Sequence, residues 1–229
     1  MGEMVEFPRT GGTGRGYLAP THEGAGLGVV VIQEGWSLVD HIVDVCDRFS
    51  TEGFTALAPD LSHGRTVANR GSDEAAKALM ATDLGRTTDD LSGAVDFLQA
   101  HRSVRGHGVS LVGFSMGGGL ALSLATLRPD AIRAVVPFYG IAPDGAEPDW
   151  SALAAAVEGH FAEHDDVASA DAVATFEERL RDLGKEVRIF SYPGTGPGFF
   201  DDTRQEVHDE EAARQAWVRT LEFLRAKMG

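Results

Sequence analysis

Apolar and polar positions along the chain fall into two rhythms. Continuous apolar runs rich in β-branched residues occupy 28–33, 54–59, 131–139, 153–161 and 187–192, and a further short one begins at Ser110. Runs of this kind, without alternation, predict strands buried on both faces. Between them lie stretches with helical spacing, at 39–52, 73–81, 87–101, 168–183 and 209–227, and an apolar one following Gly117. The third carries its apolar positions at Leu91, Ala94, Val95 and Leu98, and Gly184 follows the fourth as a C-cap. Residues 5–19 predict a β-hairpin, with arms 5–8 and 14–19 split by Thr10-Gly-Gly-Thr-Gly14. Alternation of strand and helix predicts an α/β fold with a mostly parallel central sheet flanked by helices on both faces. There is no internal repeat, low-complexity segment or linker, and the 141–151 loop is too short to separate domains. One domain over 1–229 is the expectation.

Composition narrows the partners. A chain of 229 residues can bury a large core, and its 43% hydrophobic and 24% charged fractions are ordinary for a globular protein. The 35 acidic against 20 basic residues give a net charge of −15. That argues against nucleic acid and anionic membranes as partners, which leaves a small-molecule substrate and a monomer or homodimer. The single cysteine, Cys46, excludes an internal disulfide and a Cys-cluster zinc site, and its helical setting predicts a buried thiol. No apolar run reaches about 18 residues. No basic segment followed by an apolar run opens the chain, so a cytoplasmic location is expected.

Candidate chemistry lies in the loops after the strands, where sheets of this type bind ligands. Gly113-Phe-Ser-Met-Gly117 sits between a predicted strand and a predicted helix. Gly-x-Ser-x-Gly in that setting is a nucleophile elbow: the turn forces the serine into a strained conformation, and small flanking residues let strand and helix approach. Ser115 is therefore the candidate nucleophile. A serine nucleophile needs a histidine to take its proton and an acid to orient the histidine, in chain order Ser, acid, His. The loop Glu163-His-Asp-Asp-Val167 supplies Asp165, with Asp166 as a spare. The loop that should carry the histidine reads Tyr192-Pro-Gly-Thr-Gly-Pro-Gly-Phe-Phe-Asp-Asp-Thr-Arg204 and has none. His208, the one histidine beyond it, reads as an exposed residue beside a helix start.

Over nearly its whole length the sequence resembles the dienelactone hydrolase family. The likeness runs through Val29-Val-Val-Ile-Gln-Glu34, Ala56-Leu-Ala-Pro-Asp-Leu61, Val112-Gly-Phe-Ser-Met-Gly-Gly-Gly-Leu-Ala121 and Val136-Pro-Phe-Tyr-Gly140. It continues in His160-Phe-Ala-Glu-His-Asp-Asp166, Tyr192-Pro-Gly-Thr-Gly196 and Phe199-Phe-Asp-Asp-Thr-Arg204. The resemblance implies an α/β-hydrolase fold that needs no cofactor. It puts Ser115 where the family usually has a cysteine nucleophile and Asp165 at the triad acid. Glu34 matches a glutamate that contacts the nucleophile, and the N–H groups of Met116 and Gly35 match the oxyanion hole. Departures cluster at the same place. Pro197 stands where the family has its catalytic histidine. Asp201 stands where the founding member has an arginine that reads a substrate carboxylate. Gln33-Glu-Gly-Trp-Ser37 replaces a common Gln-Glu-Trp-Trp-Gly.

Proline cannot exchange a proton through its side chain, and serine without a base is a poor nucleophile. Three readings follow. The leading one is a hydrolase of a small lactone, ester or related carbonyl compound with an atypical triad, in which Glu34 replaces the histidine. The second is a cyclase, isomerase or dehydratase using Glu34 as acid/base, with the oxyanion hole polarising a carbonyl. The third is a non-catalytic binder, or a chain whose histidine was deliberately replaced. Trp36, Tyr139, Pro197 and Phe199 are the expected substrate-pocket residues. His63 reads as a solvated turn residue. His160 and His164 flank the acid loop, but a strand end does not put both on one face, so no metal site is expected.

Overall fold

A computed structural model describes residues 2–22, 24–35, 37–64, 83–142 and 147–229. The chain divides into two compact units, Met1–Val109 and Ser110–Gly229.

In the first unit the strands run in the sheet order β1-β2-β4-β3. β1 (Glu3–Arg9) and β2 (Gly12–Ala19) form the N-terminal hairpin, β2 is antiparallel to β4 (Phe54–Pro59), and β3 (Leu27–Ile32) is parallel to β4. The five-residue loop expected at 10–14 is tighter. The ladder continues to Arg9 opposite Gly12, because Gly11 takes a φ of 73° and turns the chain within two residues. Every residue of β3 and β4 is buried, as their unbroken apolar sequence requires. Helix α1 (Asp40–Thr51) buries Ile42, Val45, Cys46 and Phe49, and Phe49 meets Phe54 edge-on at 5.5 Å. The Cys46 thiol is fully buried, and burial pushes its pKa up. Helix α2 (Leu84–Ala100) starts earlier than its apolar stripe predicts, since the Asp83 carboxylate caps it by accepting from the Arg86 amide at 3.1 Å. Its buried face includes Leu91, Ala94, Val95 and Leu98. The helix expected over 73–81 lies outside the described residues.

In the second unit the order is β5-β6-β7-β8, from β5 (Val109–Phe114) through β6 (Ile132–Phe138) and β7 (Ala156–Ala162) to β8 (Val187–Tyr192). β6 and β7 are parallel, as are β7 and β8. Helix α3 (Met116–Leu127) lies against β6, α4 (Ala170–Asp182) against β8, and α5 (Glu210–Met228) against β6 and β7. The two sides of β7 show why the sheet needs both layers. Phe161 packs with Ala168 and Val173 on the α4 side, while His160 reaches Thr220 of α5. The strand expected from 153 begins instead at Ala156. A single 3-10 turn, Trp150–Ala152, precedes it, capped by Asp149, and the Lys185 ammonium takes the carbonyls of Ser151 and Leu153 at 2.7 Å each. Among the described residues no helix is long and apolar enough to cross a membrane.

Candidate active site

Ser115 joins β5 to α3 with φ 51° and ψ −119°, a region that L-residues avoid. The glycines explain how the turn closes. A Cβ on Gly113 would collide with the Gly117 carbonyl, and one on Gly140 with the Ser115 carbonyl. The Ser115 amide donates to Phe138 O, and the Gly118 amide to Ser115 O, at 2.9 Å each. Tyr139, between Phe138 and Gly140, is also left-handed, with φ 38°. Two strained non-glycine residues, one after β5 and one after β6, cost roughly 1–3 kcal/mol each and persist only where the surroundings fix them. The Ser115 side chain is solvent-exposed and makes no capping hydrogen bond, so the helix end does not consume its hydroxyl. Met116 is the first residue of α3, and its N–H belongs to the set of helix-start donors without an intrahelical acceptor. Hydroxyl and N–H sit at the positive end of the helix dipole, which favours a developing oxyanion.

Asp165 lies in the turn after β7, half-buried. Its Oδ1 accepts from the amides of Val167 at 2.8 Å and Ala168 at 3.0 Å. This fixes the carboxylate and engages one of its two oxygens. The loop after β8 sits directly against this turn: the His164 amide donates to Thr195 O at 3.0 Å, and the Gly194 amide to Glu163 Oε2 at 2.7 Å. Pro197 is exposed within that loop, next to Gly198 with φ 90°. The acid turn and the loop that carries Pro197 are therefore neighbours.

Two of the expected pocket residues are placed in the core. Tyr139 and Phe199 are 4% and 0% exposed and meet edge-on at 5.5 Å, and Phe114, Phe138 and Phe200 continue the aromatic cluster. Trp36 lies outside the described residues. His208, expected at the surface, is half-buried, and its Nδ1 is 3.1 Å from Phe199 O, which also accepts from the Asp209 amide.

In the first unit Glu34 is buried beyond the end of β3, followed by half-buried Gly35. The Gln33 side chain accepts from the Leu61 amide at 3.3 Å, which ties this loop to the one after β4. His63 is not a solvated turn residue. It sits at φ 53° in a turn built by Asp60, and its Nε2 is 3.3 Å from Asp90, whose other oxygen is 2.7 Å from Arg9 Nε. Burial raises the Asp90 pKa, while His63 and Arg9 pull it down.

His160 and His164 do not converge. The His160 side chain is 0% exposed and the His164 side chain 70% exposed. Sequence reading missed the polar set around His160, formed by Glu158, Tyr192, Arg219 and Thr220. The available signal is the period-two pair Glu158 and His160 inside an otherwise apolar strand.

The model of the dienelactone hydrolase family matches residues 15–228. Protein usf of Aquifex pyrophilus is 35% identical, over 98% of this chain and 98% of its own. A candidate carboxymethylenebutenolidase of Aquifex aeolicus is 31% identical over the same shares, 98% and 98%. Among solved structures, a candidate dienelactone hydrolase from Klebsiella pneumoniae superposes with a TM-score of 0.87 at 25% identity, covering 98% of each chain. A dienelactone hydrolase from Anabaena variabilis shares the fold, with a TM-score of 0.73 at 23% identity over 100% of this chain and 99% of its own. The chain belongs to the dienelactone hydrolase family, a family of lactone and ester hydrolases with the α/β-hydrolase fold.

Proposed function

We propose that this chain opens a small lactone or cleaves a small ester with Ser115 as nucleophile and Glu34 as general base. The observation that carries the reading is the strained Ser115 backbone at the start of α3, with its hydroxyl free of any capping bond. In the acylation step Ser115 Oγ bonds to the substrate carbonyl carbon, and the Glu34 carboxylate takes the hydroxyl proton. The N–H groups of Met116 and Gly35 receive the carbonyl oxygen as it becomes anionic. Collapse of the tetrahedral intermediate breaks the ester C–O bond, and the leaving oxygen takes the proton back from Glu34. A water molecule then repeats the sequence on the acyl-serine. Asp165, held by two amides, is vestigial as a triad acid, because Pro197 stands in place of the histidine it would orient. The family match runs through both compact units, which supports reading 1–229 as one domain.

A fluorophosphonate probe tests the assignment, because it reacts with an activated serine. The expected result is a phosphonylated Ser115 in the intact protein, found by peptide mass spectrometry, together with turnover of 4-nitrophenyl acetate. Absence of both the adduct and the turnover would overturn the hydrolase reading.

A further inference from the structure

Below the 163–166 and 193–198 loops, one face of β7 and β8 carries polar groups in a mostly apolar sheet. The register sets Glu158 opposite Arg188, His160 opposite Phe190 and Ala162 opposite Tyr192. Strand alternation turns all six side chains to the same face, which α5 covers with Arg219 and Thr220. His160 is fully buried there. Its Nδ1 is 2.9 Å from the Tyr192 hydroxyl and its Nε2 is 3.1 Å from the Thr220 hydroxyl. Arg219 donates to the same Tyr192 oxygen at 3.1 Å, with its guanidinium 4.1 Å over the Phe190 ring. One arrangement satisfies every group: Tyr192 accepts from Arg219 and donates to His160 Nδ1, while Nε2 carries the ring proton toward Thr220. Burial, reinforced by Arg219, pushes the His160 pKa down to about 3, so the ring is neutral at physiological pH.

Tyr192 is also the point from which both loops hang. Its carbonyl accepts from the amides of Glu163 at 3.3 Å and Thr195 at 3.4 Å, and from the Thr195 hydroxyl at 2.8 Å. Thr195 and Glu163 in turn hold His164 and Gly194. The side chain of Tyr192 is thus pinned from below by His160 and Arg219, while its backbone sets the height of the turn that carries Asp165 and of the loop that carries Pro197.

We propose that His160 is a positioning residue: by fixing Tyr192, it sets the Asp165 turn and the Pro197 loop in their mutual register. Its effect on catalysis rests on the reading of Ser115 as nucleophile, whereas its effect on the loops does not.

Amide hydrogen exchange in His160→Leu and Tyr192→Phe tests the proposal without requiring turnover. The amides of Glu163, His164, Gly194 and Thr195 are expected to exchange about tenfold faster or more, with the Ser115 amide and those of β5 and β6 unchanged. His160→Asn, whose amide oxygen can still accept from the Tyr192 hydroxyl, is expected to restore slow exchange. Unchanged rates at the four amides, or equal acceleration from β5 to β8, would overturn the proposal. On an ester that the wild type hydrolyses, His160→Leu and Tyr192→Phe are expected to change kcat little, and in the Pro197→His background, where Asp165 has a histidine to orient, to lower it about tenfold with KM within about twofold. A wild type without turnover counts against the Ser115 reading, and the exchange rates still decide the role of His160.

Discussion

The amide of Ser115 donates to the carbonyl of Phe138 over 2.9 Å, so the elbow at the end of β5 is carried by the last residue of β6. The two residues that follow Phe138 complete the support. Tyr139 accepts a left-handed backbone, and Gly140 passes so close to Ser115 that no side chain fits between them. Gly140→Ala must therefore push backbone against backbone. The expected cost is about 2 kcal/mol or more, with loss of fluorophosphonate labelling at Ser115. Gly194→Ala is the control. Gly194 has φ 76° with open space around it, so alanine there costs only about 1 kcal/mol and leaves labelling intact. Equal labelling in both variants would show that the elbow tolerates a shift of Gly140.

Pro197 is exposed between Gly196 and Gly198, in the loop that adjoins the Asp165 turn. Pro197→His is expected to raise ester turnover about a hundredfold or more by supplying a general base. The double-mutant cycle with Asp165→Asn separates two roles of that carboxylate. Asparagine can still accept from the Val167 and Ala168 amides through Oδ1, so the turn survives. Asp165→Asn should then abolish most of the gain in the Pro197→His background and change little in the wild type. An equal loss in both backgrounds would mean that Asp165 acts without a histidine.

Glu34→Gln tests the remaining acid/base group. If Glu34 is the base, kcat for 4-nitrophenyl acetate falls about a hundredfold, and the Pro197→His, Glu34→Gln double variant recovers much of it, because either base can deprotonate Ser115. Full turnover in Glu34→Gln alone would remove Glu34 from the mechanism.

How much of this was legible depends on the sequence distance over which each feature is determined. β3 and β4 are readable because a strand buried on both faces must be apolar at every position, and theirs are. The elbow is readable because its strain demands glycine two positions before and after Ser115. The start of β7 is not, since it depends on Lys185 reaching back to the carbonyls of Ser151 and Leu153. His63 looked like a turn residue because Asp60 does build a turn there, but its partner Asp90 comes from α2, beyond the residues a local pattern samples. Thr220 lies sixty positions from His160, and only the pairing of β7 with α5 brings the two together. Tyr139 and Phe199 sit in the segments the pattern marked, yet aromatic side chains at strand ends serve the core as readily as a pocket, and here they are buried.

The Asp90 cluster shows that such long-range pairs carry stability. The Asp90 and Arg9 side chains are 3% and 13% exposed, so removing either leaves a charge with little access to water. Asp90→Ala is expected to destabilise the protein by about 3 kcal/mol in urea unfolding. His63→Ala, which removes a 25% exposed partner at 3.3 Å, should cost less than about 1 kcal/mol. Similar costs for the two would mean that His63, and not Arg9, is the main partner of Asp90.

Glu158 and His160 make opposite contributions to stability as pH changes. Burial raises the Glu158 pKa from 4.5 to about 7, with Arg188 and Arg219 opposing the rise and Glu222 adding to it. The folded state thus holds this proton more tightly than the unfolded state. The associated stability is complete below pH 4.5 and is lost as pH rises through about 7. His160 is lowered from 6.5 to about 3, so its contribution is complete above pH 6.5 and is lost as pH falls toward 3. Between 4.5 and 6.5 the two slopes cancel, each worth up to about 1.4 kcal/mol per pH unit. Relative to the wild type, Glu158→Gln should then gain stability steadily from pH 4.5 to about 7, because only the His160 slope remains until 6.5 and the Glu158 loss is absent throughout. His160→Asn should lose stability relative to the wild type up to pH 6.5, where the His160 contribution is complete, and run parallel to it above that. Urea unfolding at half-unit steps measures both differences, and titrating groups distant from this cluster drop out of them. Parallel stability profiles for Glu158→Gln and the wild type would mean that Glu158 titrates in the folded protein as it does in the unfolded chain.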